Sequence, residues 1–381
     1  MKIIYHICRF ILGLTFIFSG FTKGIDPIGS SYKFIDYFTA WGLDSLTPLA
    51  TLAGVLLALL EFSIGVALIC NLFKKITAMA ALVFCSFFLI LTLYIAIKNP
   101  VTDCGCFGDA IKLGNWETFY KNIVLFICAV IIVHTPTMKL SGARCRISIY
   151  IGCTLLSLYL ILVAYSSYFL PVIDFRPYRE GTNIIEAMSI PESAPKDEYK
   201  NTFIYKNLKT GKEQEFDETN YPWQDTLNWV YVDLHSTLVT KGYEPPIHDF
   251  YMMTSDAEDV KDFFLYDELP VFILASSHVE KMKWKNRDEI ANLINFCDEK
   301  HMSFVGLTAS AIDEANKLSE MNGLHIDFLN CDEVALKTMI RSNPGLILII
   351  NGTIIKKWSG NDLPTIEEAE KEIVKFNAKV K

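Results

Sequence analysis

Apolar residues fill the first half of the chain in long runs and break into short alternating runs in the second. Five apolar segments lie near residues 3–21, 48–71, 76–97, 117–135 and 147–170. Each is long enough for a helix to cross about 30 Å of hydrocarbon. The first could be read as a secretory leader, with Lys2 and Arg9 flanking the start of its apolar stretch Phe10–Phe18. The next residues, Ser19-Gly20-Phe21-Thr22-Lys23, make a poor small-x-small cleavage site, so we read a retained span. Between spans one and two, Tyr32, Phe34, Ile35, Tyr37, Phe38 and Trp41 interleave with Lys33 and Asp36. This predicts either a short amphipathic helix on the membrane surface or a loop packed on the bundle top.

Past residue 173 the periods shorten. Phe203-Ile204-Tyr205, Glu213–Phe216 and Trp229–Val232 read as strands, with a turn at Lys209–Lys212. From residue 244 strands alternate with helices. Strands are expected at Val271–Ala275, Ser303–Leu307 and Ile326–Leu329, and a hairpin at Leu346–Ile350 and Thr353–Trp358 around Asn351-Gly352. Helices are expected over 286–300, 309–322, 332–342 and from Thr365 to about 378. The expected fold class is an α-helical transmembrane bundle, then a small β-rich module, then an α/β domain. The boundaries read as a four-span core over 1–140, a fifth transmembrane helix over 141–172, the β-rich module over 173–243 and the α/β domain over 244–381.

Charge orients the spans. Lys2 and Arg9, the pair Lys74-Lys75, and the group Lys139, Arg144 and Arg146 occupy the N-terminus and two short connections. By the positive-inside rule these face the cytoplasm. The loops at 22–47 and 98–116 balance their lysines with Asp26, Asp36, Asp44, Asp103 and Asp109, and Glu117 comes just after. They face outward, and five spans place everything after residue 170 there too. In a bacterium this is an inner-membrane protein with a periplasmic C-terminal half. The net charge of −8 resides mainly in that half, which argues against nucleic acid as a partner and leaves membrane lipid as the sure one.

Of ten cysteines, eight lie in the first 153 residues. Cys8, Cys70, Cys85, Cys128 and Cys153 sit inside apolar runs and read as small buried apolar residues. Cys104 and Cys106 differ: they form a close pair in the loop Asp103-Cys104-Gly105-Cys106-Phe107-Gly108-Asp109. Gly105 eases the backbone for a tight disulfide ring. Three readings are open: a redox-active pair, a static structural disulfide, and a soft-metal site with two thiolates. No histidine lies within the motif, and His134 falls at the opposite membrane face, so no metal is assigned. The position suits a relay between periplasmic thiols and a membrane-dissolved acceptor such as a quinone.

These residues also carry a family resemblance. Residues 1–135 resemble the DoxX/MauE group of membrane proteins. Phe18-Ser19-Gly20-Phe21-Thr22-Lys23 matches the opening signature, Glu61 an acidic residue of the second span, Cys104-Gly105-Cys106-Phe107-Gly108 the MauE cysteine motif, and Asn122 the polar residue of the fourth span. The whole arrangement is similar to DoxX-family envelope proteins of Bacteroidota. The resemblance implies maturation of a disulfide-containing client, as MauE proteins are linked to methylamine dehydrogenase, or thiosulfate–quinone chemistry, as DoxX proteins are. In outline the core is also similar to the quinone-coupled disulfide oxidases DsbB and vitamin K epoxide reductase, without the second cysteine pair that those use. Glu61 then reads as a proton or quinone contact, or as a polar clamp between helices. Lys23 reads as a thiolate-stabilising cation, or as a side chain snorkelling to the interface.

The last domain resembles a thioredoxin-like fold of the TlpA and thiol-peroxidase type. Glu244-Pro245-Pro246-Ile247-His248-Asp249-Phe250 looks like its opening strand, and Ser342-Asn343-Pro344-Gly345 stands where that fold carries a cis-proline. The redox motif is absent: Ala275-Ser276-Ser277-His278-Val279-Glu280-Lys281 replaces it, with His278 and Lys281 roughly where two cysteines are expected. Cys331 comes after the third strand, at the sheet end where sites gather, and reads as a structural cysteine that could approach Pro344. Two functions remain open. One is a redox-associated envelope protein relaying electrons through Cys104 and Cys106, its tail recognising a periplasmic thiol or disulfide client. The other is a non-catalytic assembly factor whose tail binds a partner.

Overall fold

A computed structural model describes residues 2–101, 103–135 and 142–380 of the chain. Lys139, one of the basic residues that orient the spans, lies outside the described residues. The chain divides into two compact units, residues 1–182 with 250–381, and residues 183–249.

The first unit opens with α1 (Lys2–Ile25), α2 (Pro27–Ala40), α3 (Ala50–Ile69), α4 (Lys74–Lys98), α5 (Asn115–His134) and α6 (Gly142–Tyr168). All but α2 supply segments long and apolar enough to cross a membrane, the second span running from Asp44 through a 3-10 turn into α3. The protein is thus a membrane protein with five candidate spans. These helices are apolar all round, so large side chains such as Ile76, Phe87 and Ile90 on α4 remain exposed, the pattern of a lipid-facing surface. Inside, Leu12, Phe16, Ile64, Leu68, Ala81 and Ala129 pack as one core. Phe62 stacks on Tyr159 at 3.9 Å, and the Tyr159 hydroxyl donates to the Gly20 carbonyl at 2.5 Å. Gly20 is needed for close approach: a Cβ there would stand 2.6 Å from the Phe62 nitrogen.

Residues 32–40 are helical, within a helix that starts earlier, at Pro27. Asp26 caps it, accepting from the Gly29 N–H at 2.8 Å, and Pro27 suits the first turn.

The second unit contains α7 (Ile184–Met188), β1 (Glu198–Asn207), β2 (Glu213–Asp217) and β3 (Trp229–Thr240). The strands form an antiparallel sheet of order β2-β1-β3. Asn207 Oδ1 accepts from the N–H groups of Lys209 and Thr210, which closes the expected turn. Aromatic side chains hold the sheet together, Phe203 stacking on Tyr221 at 4.3 Å and Phe216 meeting Trp229 edge-on.

Glu244–Phe250 forms no strand, contrary to expectation. Pro245 and Pro246 have no N–H to give a ladder. The first unit resumes with α8 (Lys261–Leu265), β4 (Val271–Ser276), α9 (Arg287–Lys300), β5 (Ser303–Thr308), α10 (Ile312–Met321), β6 (Phe328–Asn330), α11 (Glu333–Met339), β7 (Gly345–Ile350), β8 (Thr353–Ser359) and α12 (Ile366–Val380). The sheet order is β6-β5-β4-β7-β8. β4, β5 and β6 are parallel; β7 runs against β4, and β8 against β7. Every residue of β4 and β7 is buried, as their unbroken apolar runs require. Asn351 and Gly352 take positive φ of 46° and 69°, the left-handed pair of a tight hairpin turn. The Asn343–Pro344 bond before β7 is cis.

Candidate functional site

The cysteine loop is pinned to α1 and α2. Gly105 takes φ +65°, which lets the chain fold back so that the Cys104 and Cys106 sulfurs lie 3.0 Å apart as free thiols. Asp103 Oδ1 accepts from the Gly105 N–H, and Asp103 Oδ2 pairs with Lys33 of α2 at 2.8 Å. The Tyr37 hydroxyl donates to the Cys104 carbonyl at 3.0 Å. Burial pushes the Tyr37 phenol up, so it stays a neutral donor.

Beneath the loop, Lys23 and Glu61 meet. Lys23 Nζ donates to Glu61 Oε2 at 2.9 Å, to Ser19 Oγ at 2.8 Å and to the Cys106 carbonyl at 2.5 Å. Ser19 Oγ lies 2.9 Å from Glu61 Oε2 and 2.6 Å from the Cys106 carbonyl, so its one proton serves either acceptor. Lys23 is buried and does not snorkel. Its ammonium reaches the backbone of Cys106 rather than the sulfur. Glu61 thereby joins α3 to α1, and it also lines the cavity beneath the loop. Ser19 stands six residues before the end of α1, about 9 Å along the axis, so the loop reaches well below the helix end.

The two thiols are not equivalent. The hydrogen bond from Cys104, with the Lys121 and Lys23 charges, lowers the Cys106 thiol to about 6 against the cost of burial. The same hydrogen bond, with burial, drives the Cys104 thiol up. A reduced pair therefore holds one proton on Cys104 and a thiolate on Cys106. Lys121 Nζ also sits 4.3 Å from the Phe107 ring centroid, and Phe107 meets Phe18 at 5.4 Å. Lys121 stands next to Asn122, yet its charge was not read from the sequence as part of the site.

A cavity of about 30 Å³ lies under Cys106 and Phe107, with Glu61, Cys85, Lys121 and Asn122 among its lining. It has room for one or two waters and no quinone ring. Asn122 faces this cavity and spans to α4, donating to Thr92 Oγ1 at 3.2 Å and the Phe88 carbonyl at 3.4 Å. Among the described residues no group of three His, Cys, Asp or Glu side chains converges to hold a metal.

The α/β domain's residues gather elsewhere. His278 Nε2 lies 3.0 Å from Glu333 and its Nδ1 3.3 Å from Glu280. Asn343 Nδ2 donates to the His278 carbonyl at 3.0 Å, and its Oδ1 accepts from Ser276 at 2.5 Å, joining β4 to the Pro344 loop. No long helix opens at His278. Two 3-10 turns intervene, and α9 starts only at Arg287, so no helix N-terminus faces the His278 and Lys281 positions. Cys331 is 1% exposed, its N–H bonded to the Thr308 carbonyl.

This edge of the sheet meets the membrane bundle. Arg341 Nε contacts Asp26 Oδ2 at 2.8 Å and its Nη2 contacts Asp109 Oδ2 at 3.0 Å. The guanidinium also lies 5.2 Å from the Tyr32 ring centroid, and Nη1 donates to the Lys337 carbonyl. Asp26 was read from the sequence only as one of the outward loop's acids, and Arg341 was not singled out, because nothing local marks it.

Three comparisons bear on this site. No curated protein sequence matches the chain. A crystal structure of an uncharacterized conserved protein from Geobacillus kaustophilus is 16% identical over 32% of this chain and 75% of that one, with a TM-score of 0.24, a likeness that carries no argument. Residues 199–241 match a domain of unknown function, DUF8463. Residues 1–135, which hold four of the five spans, the Lys23–Glu61 pair and the cysteine loop, match the family of methylamine utilisation protein MauE. The chain is therefore a membrane protein whose first 135 residues match the MauE family.

Proposed function

We propose that the protein is a redox-associated protein of the bacterial inner membrane that moves electron pairs through Cys104 and Cys106. The carrying observation is the thiol pair itself, two sulfurs 3.0 Å apart with the charge placed on Cys106. In the forward sense, two thiols of a periplasmic client pass two electrons to the Cys104–Cys106 disulfide. The client closes its own disulfide, its two protons pass to the pair, and Cys104 and Cys106 become a dithiol. A membrane quinone then takes two electrons and two protons from the dithiol and leaves as quinol, which restores the disulfide. The 30 Å³ cavity excludes the quinone ring, so the acceptor approaches from lipid, beside Phe18 and Phe107. Run toward a secreted client, the same exchange matures its disulfides, the role that the MauE name suggests.

In this reading the N-terminus is cytoplasmic and the α/β domain periplasmic. That domain is thioredoxin-like, supported by its strand order and its loop at Pro344. With His278 and Lys281 in place of a cysteine pair it does no exchange. This loss favours a second reading, a non-catalytic assembly factor or complex subunit. Thiol trapping with a mass-shift reagent, with the quinone pool oxidised or reduced, separates the two. The relay requires the pair to change redox state with the pool and Cys104→Ser to abolish the change. A pair locked in one state, with no redox phenotype in Cys104→Ser, leaves only the assembly role.

A further inference from the structure

The α/β domain is held against the cysteine loop by a buried cation. Arg341 is 6% exposed and lies two residues before Asn343 of the cis-proline loop. It joins two carboxylates of different origin: Asp26, which caps α2, and Asp109, which ends the cysteine motif. The fork geometry of guanidinium suits two acceptors at once, where a lysine offers a point charge. Tyr32 of α2 lies under both Arg341 and Lys337, at 5.2 and 4.8 Å from the ring centroid. Lys337 pairs with Glu333, which holds His278. The edge made by β4, the Pro344 loop and α11 is thus tied to α2. Between them lies a cavity of about 120 Å³, lined by Ile28 and Tyr32 on one side and Ser277 and Asn343 on the other.

Cys104 is 9% exposed and Cys106 half-buried. Asp109 is five residues from Cys104, and Gly105 and Gly108 between them both take positive φ. Such a loop has little rigidity of its own, so its shape depends on its anchors. Lys33 and Tyr37 anchor the front, Lys23 the middle and Arg341 the end.

We propose that the α/β domain acts in cis as a fixed cap on the cysteine loop, with Arg341 as the positioning residue that holds Asp109 and thereby limits access to Cys104 and Cys106. The edge that would meet a client in a free domain is occupied by α2 of its own chain. Reactants that pass the cap are small thiols or extended segments, and folded proteins are excluded. This deepens the relay reading by naming its substrate class.

The test labels the reduced full-length protein in detergent with a small maleimide and with a polymer-linked maleimide, and reads the 104–106 peptide by mass spectrometry. In the native protein the small reagent reacts and the bulky one lags. Arg341→Ala raises bulky labelling by about tenfold, the effect of about 1.4 kcal/mol on a local opening equilibrium. Arg341→Lys falls between the two. Asp109→Asn releases only the loop, leaves the Asp26 contact intact, and raises labelling by both reagents; it decides the matter should Arg341→Ala fold poorly. Unchanged rates and unchanged size selectivity in both variants overturn the cap. Labelling needs no electron acceptor, so a failed relay with altered labelling sinks the redox reading alone, and the reverse outcome sinks the cap alone.

Discussion

The Lys23 ammonium and the Glu61 carboxylate lie 2.9 Å apart on neighbouring spans, both almost wholly buried. Each neutralises the other, and together they hold Ser19 and the Cys106 carbonyl. Taking one partner away leaves a buried charge. Lys23→Met is expected to cost about 3 kcal/mol. Replacing both, as Lys23→Met with Glu61→Leu, costs less than the single change. Thermal melts in detergent check the ordering, and a double variant weaker than Lys23→Met contradicts it.

Cys106 titrates near 6, below an ordinary thiol. Its thiolate contributes stability above the ordinary thiol range, and the contribution is lost as pH falls through about 6. For reactivity, alkylation of reduced Cys106 is expected to be half-maximal near pH 6. Cys104→Ala removes the leading cause, the hydrogen bond donated to Cys106, and shifts that midpoint upward by about one unit or more. A midpoint near 8 in the native protein, unchanged in the variant, refutes the assignment.

Lys357 of β8 anchors the segment after the last span. Its Nζ bonds Asp174 at 2.5 Å and the carbonyls of Tyr178 and Met339. Burial, with Arg176 beside it, lowers Lys357 to about 8. Above that pH the folded state gives up a proton that the unfolded state still holds up to about 10.4, so raising pH through this window stabilises the fold. The melting temperature of native protein relative to Lys357→Met is expected to climb between these limits. A flat difference disproves the depressed value.

Cys8 of α1 and Cys128 of α5 lie in one buried cluster of the bundle core. Mild oxidation of the protein in membranes is expected to link the two, detected as one cross-linked peptide and abolished by Cys128→Ala. Oxidation of Cys104 and Cys106 without this link would show that α1 and α5 pack in another register.

Much of this was readable in order along the chain. The five spans come from apolar length, and α9, α10, α11 and β4 to β8 fall close to their expected places. Asn351-Gly352 marked its hairpin because only a few residue types accept positive φ in succession. Cys104 and Cys106 were found because their spacing is local. Glu244–Phe250 was misread: a likeness in residues did not outweigh two prolines without N–H groups.

The sequence alone determined the membrane core, the cysteine loop and the absence of a Cys-x-x-Cys from the tail, since each depends on neighbours a few residues apart. Tertiary structure decided the partners. It brought Lys23 to Glu61 across 38 residues, Cys8 and Cys128 into one buried cluster, and Arg341 to Asp109 across 232. No periodicity encodes such choices. A buried charge takes whichever counter-charge the packing of apolar helices and a sheet edge delivers, and that packing is a property of the whole fold.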